Sequence, residues 1–96
     1  MAAKEINVAK TYLSLKKYIS AIKRFKYIVN NYQTSSFVAE SLHRLVEVYL
    51  ILGVNEEAII NARVLGYNFP NSEWYEYSYK LLKEKNLISK WLNIFS

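Results

Sequence analysis

Apolar residues recur at spacings of three and four positions along most of the chain, which is the spacing of one face of an α-helix. The first stripe contains Ile6, Val8, Ala9, Tyr12, Leu13 and Leu15. A second stripe begins near Tyr18 and contains Ile19, Ala21, Ile22, Phe25, Ile28 and Val29. The pattern predicts a pair of helices in the first part of the chain, with Lys16 and Lys17 closing the first helix.

The pattern repeats itself after 37 residues. At this offset Tyr12-Leu13-x-Leu15 superposes on Tyr49-Leu50-x-Leu52, and Ala21-Ile22 superposes on Ala58-Ile59. The second unit therefore predicts a second helix pair. Its first helix carries Leu42, Leu45, Val46, Tyr49 and Leu50, and its second carries Ala58, Ile59, Ala62 and Leu65.

Turn and cap residues separate these predicted helices. Gly53 can adopt the left-handed conformation that ends a helix, and Asn55 is a suitable N-cap for the next one. Asn71 or Ser72 is expected to cap a final helix that starts at about Glu73.

The fold expected from these patterns is all-α and similar to the tetratricopeptide repeat (TPR), as a fragment of an α-solenoid. We expect a first helix pair over residues 1–36, a second over residues 37–72, and a C-terminal capping helix or helices over residues 73–96. Small residues should allow close approach of the paired helices, namely Ala9, Ala21, Ala58 and Ala62.

Charge and composition leave several partner classes open. The 96 residues carry a net charge of +5, contain no cysteine, and are 52% hydrophobic, which excludes a disulfide framework and a disordered chain. Residues 1–33 hold seven Lys or Arg against Glu5 alone. This basic end suits an acidic protein, a nucleic acid or an anionic lipid, and it is equally the expected composition of a solvated helix surface.

The sequence offers no set of residues for catalysis, a metal or a cofactor. His43 is the single histidine. It could share a metal with Glu47 four positions later, but no third ligand is apparent. Several basic residues lie among Tyr12, Tyr18 and Tyr27, as in some RNA-binding proteins. The tyrosines are better interpreted as side chains that fill the space between helices. We therefore expect a non-enzymatic protein with no cofactor and no nucleic-acid partner.

Two stretches are more specific than the general repeat. The first is Tyr18-Ile19-Ser20-Ala21-Ile22-Lys23-Arg24-Phe25, and the second ends with Leu65-Gly66-Tyr67-Asn68-Phe69-Pro70-x-Ser72-Glu73-Trp74-Tyr75. Together they resemble the C-terminal TPR half of the BamD family (also called YfiO or ComL), and its alphaproteobacterial members in particular. These are lipoproteins of the outer-membrane β-barrel assembly machinery.

The resemblance implies a function, a location and partners. It implies a non-catalytic TPR scaffold on the periplasmic side of the outer membrane, binding the POTRA domains of a BamA-like subunit and accessory lipoproteins. Family members carry a signal peptide, a lipid-bearing cysteine and further N-terminal repeats. The chain is therefore expected to be a fragment whose membrane association comes only through an anchor it does not contain. The alternative hypothesis is a cytosolic TPR adaptor for an acidic protein.

A candidate binding site follows from the repeat register. The positions expected on the concave face are Ile6, Lys10, Leu13, Glu40, His43, Glu47 and Leu50. We also expect the first helix to expose Ile6, Ala9 and Leu13, which would allow self-association of the fragment. At the other end, the stripe Leu87, Ile88, Trp91, Leu92 and Phe95 is either a capping helix or a partner-binding one.

Overall fold

A computed structural model of the chain describes residues 2–33 and 35–89. Within these residues it contains helices and turns but no strand. The helices are α1 (Ala2–Ser14), α2 (Tyr18–Asn31), α3 (Phe37–Ile51), α4 (Asn55–Asn68) and α5 (Glu73–Glu84). The prediction of an all-α, TPR-like repeat fragment is confirmed.

The helices pack as two successive hairpins followed by α5. Helix α1 packs on α2 and α3 packs on α4, while α3 also contacts α1, α2 and α5. The backbones of α2 and α4 do not approach each other closely. Helices α1, α3 and α5 occupy equivalent positions, as the first helices of successive units. Because these first helices approach each other more closely than α2 and α4 do, the side formed by α1, α3 and α5 is concave.

Helices α1, α3 and α5 end in the same way. Lys16, Gly53 and Asn86 all adopt positive φ, at 60°, 77° and 59°, which is the left-handed residue of a Schellman motif. The N–H of the following residue donates to a carbonyl five positions back, from Lys17 to Tyr12 (2.9 Å), from Val54 to Tyr49 (2.8 Å) and from Leu87 to Leu82 (2.9 Å). The expected left-handed stop at Gly53 is thus confirmed, and the same turn occurs at two positions without glycine.

Two local expectations about helix ends are corrected. Asn55 is the first residue of α4, and the N-cap is Val54, which has no side-chain capping bond. Lys16 and Lys17 lie beyond the end of α1 at Ser14 and form the turn itself, so no basic residue occupies the last turn of α1. By contrast, Ser72 caps α5 as expected, with its Oγ accepting a hydrogen bond from the Trp74 N–H at 3.1 Å.

The alanines predicted at the helix crossings are all fully buried, as expected for close backbone approach: Ala9, Ala21, Ala58 and Ala62. The expected exposed stripe on α1 is wrong for Ile6 and Ala9, which are buried because α1 packs against both α2 and α3. Leu15 and Ile19 belong to the two predicted apolar stripes, yet both are exposed. Each lies beside the α1–α2 turn, at the end of its stripe.

The predicted C-terminal stripe is described only in part. Leu87 is buried and Ile88 packs against the core, whereas Trp91, Leu92 and Phe95 lie outside the described residues. In the described part of the chain, no helix has both the length and the apolar character required to cross a bilayer.

Candidate protein-binding face

The seven predicted site residues all lie on α1 and α3, but they differ in exposure. Ile6, Glu40 and His43 are buried. The half-buried ones, whose side chains a partner could reach, are Lys10, Leu13, Glu47 and Leu50.

Ion pairs connect the charged members of this set. Glu40 lies between two cations, with its Oε2 at 2.8 Å from the Lys10 Nζ and at 3.3 Å from the Arg44 Nη2. The Arg44 Nη1 in turn lies 3.0 Å from the Glu47 Oε1. The Lys10–Glu40 pair links α1 to α3, and the carboxylate of the buried Glu40 is neutralised from both sides.

His43 connects α3 to α5. Its Nδ1 lies 2.8 Å from the Oγ of the buried Ser78, and its Nε2 lies 3.5 Å from the Glu47 Oε1. Both partners are satisfied when the neutral ring carries its proton on Nε2 and the Ser78 hydroxyl donates to Nδ1, because the carboxylate can only accept. The ring centroid lies 5.4 Å from that of Trp74 and 5.9 Å from that of Tyr77.

This environment favours the neutral form of His43. Burial is the largest cause that lowers the pKa of His43 below its ordinary 6.5, and the nearby Arg44 guanidinium lowers it further. The carboxylates of Glu47 and Glu40 act in the opposite direction without reversing the shift. The imidazole therefore serves as an uncharged hydrogen-bond acceptor between two helices.

The contacts of Ser78, His43 and Glu47 superficially resemble a nucleophile with its base and a carboxylate. Ser78 is fully buried, however, so its hydroxyl cannot reach a substrate. Nor do the described residues bring together three His, Cys, Asp or Glu side chains that could hold a metal ion. The arrangement joins helices, and we assign it no chemistry.

A small groove opens between the C-terminal ends of α3 and α5. It has a volume of about 190 Å³ and is lined by Glu47, Leu50, Ile51, Leu81 and Lys85. The walls are mostly aliphatic, while a carboxylate and an ammonium group lie at the rim. A groove of this size and composition suits one apolar side chain of a partner.

Comparison with known proteins places the chain in a family. Residues 1–65 match the family described as YfiO: Outer membrane lipoprotein. The chain belongs to the YfiO family. This match covers more than half of the chain and confirms the resemblance to the family. It includes the first of the two sequence stretches and ends at Leu65, where the quoted part of the second begins.

Three relatives are named "Outer membrane protein assembly factor BamD". The protein from Rickettsia prowazekii is 47% identical over 83 residues, which are 86% of this chain and 33% of that protein. The one from Caulobacter vibrioides is 46% identical over 87 residues, 91% of this chain and 28% of that protein. The one from Neisseria meningitidis serogroup A is 34% identical over 80 residues, 83% of this chain and 30% of that protein. The chain thus spans about a third of the length of these YfiO-family relatives. No solved structure matches it.

Several contacts in this YfiO-family chain were missed by sequence reasoning. Arg44 lies with its guanidinium carbon 5.3 Å from the Trp74 ring centroid, and Trp74 packs edge-on against Tyr77 at 5.5 Å. Trp74, Tyr77 and Ser78 are spaced as one face of α5. That spacing was readable from the sequence, but it does not reveal which neighbouring helix the face meets.

Proposed function

We propose that this chain is part of a non-catalytic, protein-binding scaffold that acts in the assembly of outer-membrane β-barrel proteins. The observation that carries the proposal is its 46–47% identity, over most of its length, to two relatives named as assembly factors. From the same relationship we propose that the parent protein acts at the outer membrane, on the periplasmic side.

The partners we propose are the POTRA domains of a BamA-like barrel subunit and small accessory lipoproteins of the same complex. The concave face of α1, α3 and α5 is their proposed binding surface. It offers accessible, half-buried side chains of mixed character, with Lys10 and Glu47 as charges and Leu13 and Leu50 as apolar contacts. Mixed surfaces with a small apolar centre are typical of non-obligate protein interfaces.

The groove beside Leu50 is the proposed anchor point on this face. An apolar side chain of the partner, inserted between Leu50 and Leu81, would be removed from contact with water. Polar groups of the partner next to that side chain could pair with Glu47 and Lys85 at the rim. A buried central anchor surrounded by polar contacts is the arrangement that contributes most to affinity in such interfaces.

A binding titration with purified POTRA domains tests this proposal. We expect the double variant Leu50→Ser/Leu81→Ser to raise Kd by about tenfold or more, the effect of losing one anchor contact. The matched control is Ile60→Ser/Val64→Ser, which removes two exposed aliphatic side chains from α4.

The control variant should bind as the unmodified chain does. Both variants should keep the helical circular dichroism of the unmodified chain, since none of the four positions is fully buried. Equal affinity of all three proteins would reject the groove as the anchor. Absence of binding by the unmodified chain itself would reject the proposed partner.

A further inference from the structure

The longest stretch without a carboxylate runs from Ile6 to Ala39 and contains six Lys or Arg residues. Two of these cations have partners in the structure, because Lys10 pairs with Glu40 and Arg24 lies 3.6 Å from Glu5. The exposed cations with no ion pair in the described part of the chain include Lys16, Lys17 and Lys23. Positive charge therefore concentrates, uncompensated, around the α1–α2 turn.

Aliphatic side chains stand among these lysines. Ile19 is 63% exposed and Leu15 is 60% exposed, more than any other aliphatic side chain in the described residues. Ile19 lies four positions before Lys23 and therefore on the same side of α2. We call Leu15, Lys16, Lys17, Ile19 and Lys23 the basic corner.

A second exposed group continues the same edge of the molecule. Helices α1 and α3 are parallel neighbours, each antiparallel to α2, so the turns that follow them lie side by side, about 10 Å apart. The α3–α4 turn exposes Ile51 (58%), Leu52 (41%) and Val54 (41%). Five aliphatic side chains and three unpaired lysines thus share one edge. The lysines all belong to the basic corner, whereas the first turn of α4 beside the second group carries Glu56 and Glu57.

We infer that this edge contacts a lipid surface that carries anionic headgroups. Lysines at such a surface gain Coulomb energy from lipid phosphates, while aliphatic side chains beside them bury their tips at the boundary of the acyl region. The edge consists of two neighbouring turns with exposed side chains, which a flat lipid surface could contact together. The YfiO family is described as outer-membrane lipoproteins, so a membrane lies within reach of the parent protein.

The basic corner is separate from the proposed protein-binding groove, because none of its residues lines that groove. The α3–α4 turn adjoins the groove, since Ile51 is exposed at the turn and also lines the groove with Leu50 and Leu81. The basic corner could therefore contact the membrane while the groove holds a partner protein.

Co-sedimentation with vesicles tests the lipid contact. We expect the chain to bind vesicles of phosphatidylethanolamine with phosphatidylglycerol, and to bind phosphatidylcholine vesicles far more weakly. Replacing Lys16, Lys17 and Lys23 by Gln should lower the partition coefficient roughly fivefold for each lysine. Binding should also weaken when the salt concentration rises from about 0.05 M to about 0.5 M.

A second pair of variants tests the aliphatic part. Leu15→Ser/Ile19→Ser should reduce vesicle binding, whereas Ile60→Ser/Val64→Ser, which removes two aliphatic side chains of lower exposure (45% and 39%) from α4, should leave it unchanged. Equal losses in both pairs would overturn the assignment to this edge. The Leu50→Ser/Leu81→Ser variant should bind vesicles normally, so failure of the lipid contact and failure of the protein-binding proposal are distinguishable.

Two further results would overturn the inference. One is equal binding of the chain to anionic and neutral vesicles. The other is absence of vesicle binding together with tight, lysine-dependent binding to polyglutamate. That result would assign the basic corner to an acidic protein instead of a membrane.

Discussion

Ala21 and Ala58 occupy equivalent positions in the two helix pairs, and neither has any exposed surface. A methyl side chain lets the backbones of α1 and α2, and of α3 and α4, approach closely at these points. Such residues are identifiable from the sequence because the 37-residue offset superposes them. Their burial is therefore one part of the fold that a repeat pattern can predict residue by residue.

Enlarging either alanine should destabilise the fold. We expect Ala21→Leu and Ala58→Leu each to reduce the free energy of unfolding by about 1–3 kcal/mol, because the added atoms have no free space in a packed helix crossing. Urea denaturation followed by circular dichroism measures the change. Ala3→Leu, at an exposed position of α1, is the control and should be close to neutral. Unchanged midpoints for both buried variants would show that the crossings have room to spare.

His43 should make stability depend on pH. Its folded-state pKa lies below the ordinary 6.5 because of burial, so the unfolded chain takes up the proton first as the pH falls. The contribution of the neutral imidazole is fully present above pH 6.5 and is lost as the pH drops toward the folded-state pKa. Denaturation at about pH 7.5 and at about pH 5 should show a larger loss for the unmodified chain than for His43→Gln. Equal losses in the two proteins would contradict this prediction.

At the scale of elements, the helix-ending turns follow geometry more than residue type. The same Schellman motif forms around Lys16, Gly53 and Asn86, although only Gly53 and Asn86 are residue types that favour the left-handed conformation. The cap of α4 was mispredicted for a related reason. Asn55 has a suitable side chain, but the Schellman bond of Val54 fixes the chain so that α4 begins at Asn55, one residue earlier than an Asn55 cap would require.

Substitutions at the left-handed positions should separate conformational strain from packing. A Cβ added at Gly53 would meet no atom within 4 Å, so the expected loss of about 1 kcal/mol for Gly53→Ala comes from the left-handed backbone alone. Gly53→Asn should lose less, since asparagine tolerates this conformation better.

The reverse change is the matched test. Lys16→Gly should be neutral or stabilising by up to about 1 kcal/mol, because glycine removes the strain at φ 60° but adds flexibility to the unfolded chain. Thermal unfolding of the three variants measures these differences. A Gly53→Ala variant as stable as the unmodified chain would mean that the turn relaxes into another conformation.

At the scale of the whole molecule, α3 is the central element. It contacts each of the other four helices and contributes ten of the buried residues in the described part of the chain. The sequence indicated α3 as a repeat helix, but it did not show that α3 would join every other helix. The predicted site residues on α3 illustrate the difficulty. The repeat register predicted that His43 lies on the binding face. In the structure, Trp74 and Ser78 of α5 pack against His43 and bury it.

Hydrogen exchange should report this central role. We expect the amides of α3 to exchange most slowly, only through global unfolding, because opening α3 separates both hairpins and releases α5. Amides in the outer helices α1 and α5 should exchange faster through local opening. Mass spectrometry of peptides from each helix measures these exchange rates. Slower exchange in α1 than in α3 would contradict the assignment of α3 as the centre.

The contrast between the two sides of the molecule has a mechanical consequence. On the concave side, polar contacts run without interruption from Lys10 through Glu40 and Arg44 to Glu47 and His43, and they end at Ser78 on α5. Sliding α1 along α3 would break the Lys10–Glu40 link, and sliding α5 along α3 would break the His43–Ser78 link. On the opposite side, the backbones of α2 and α4 do not approach each other closely. We therefore expect the solenoid to resist shear more than bending, so that its curvature can change while the register of its helices is kept.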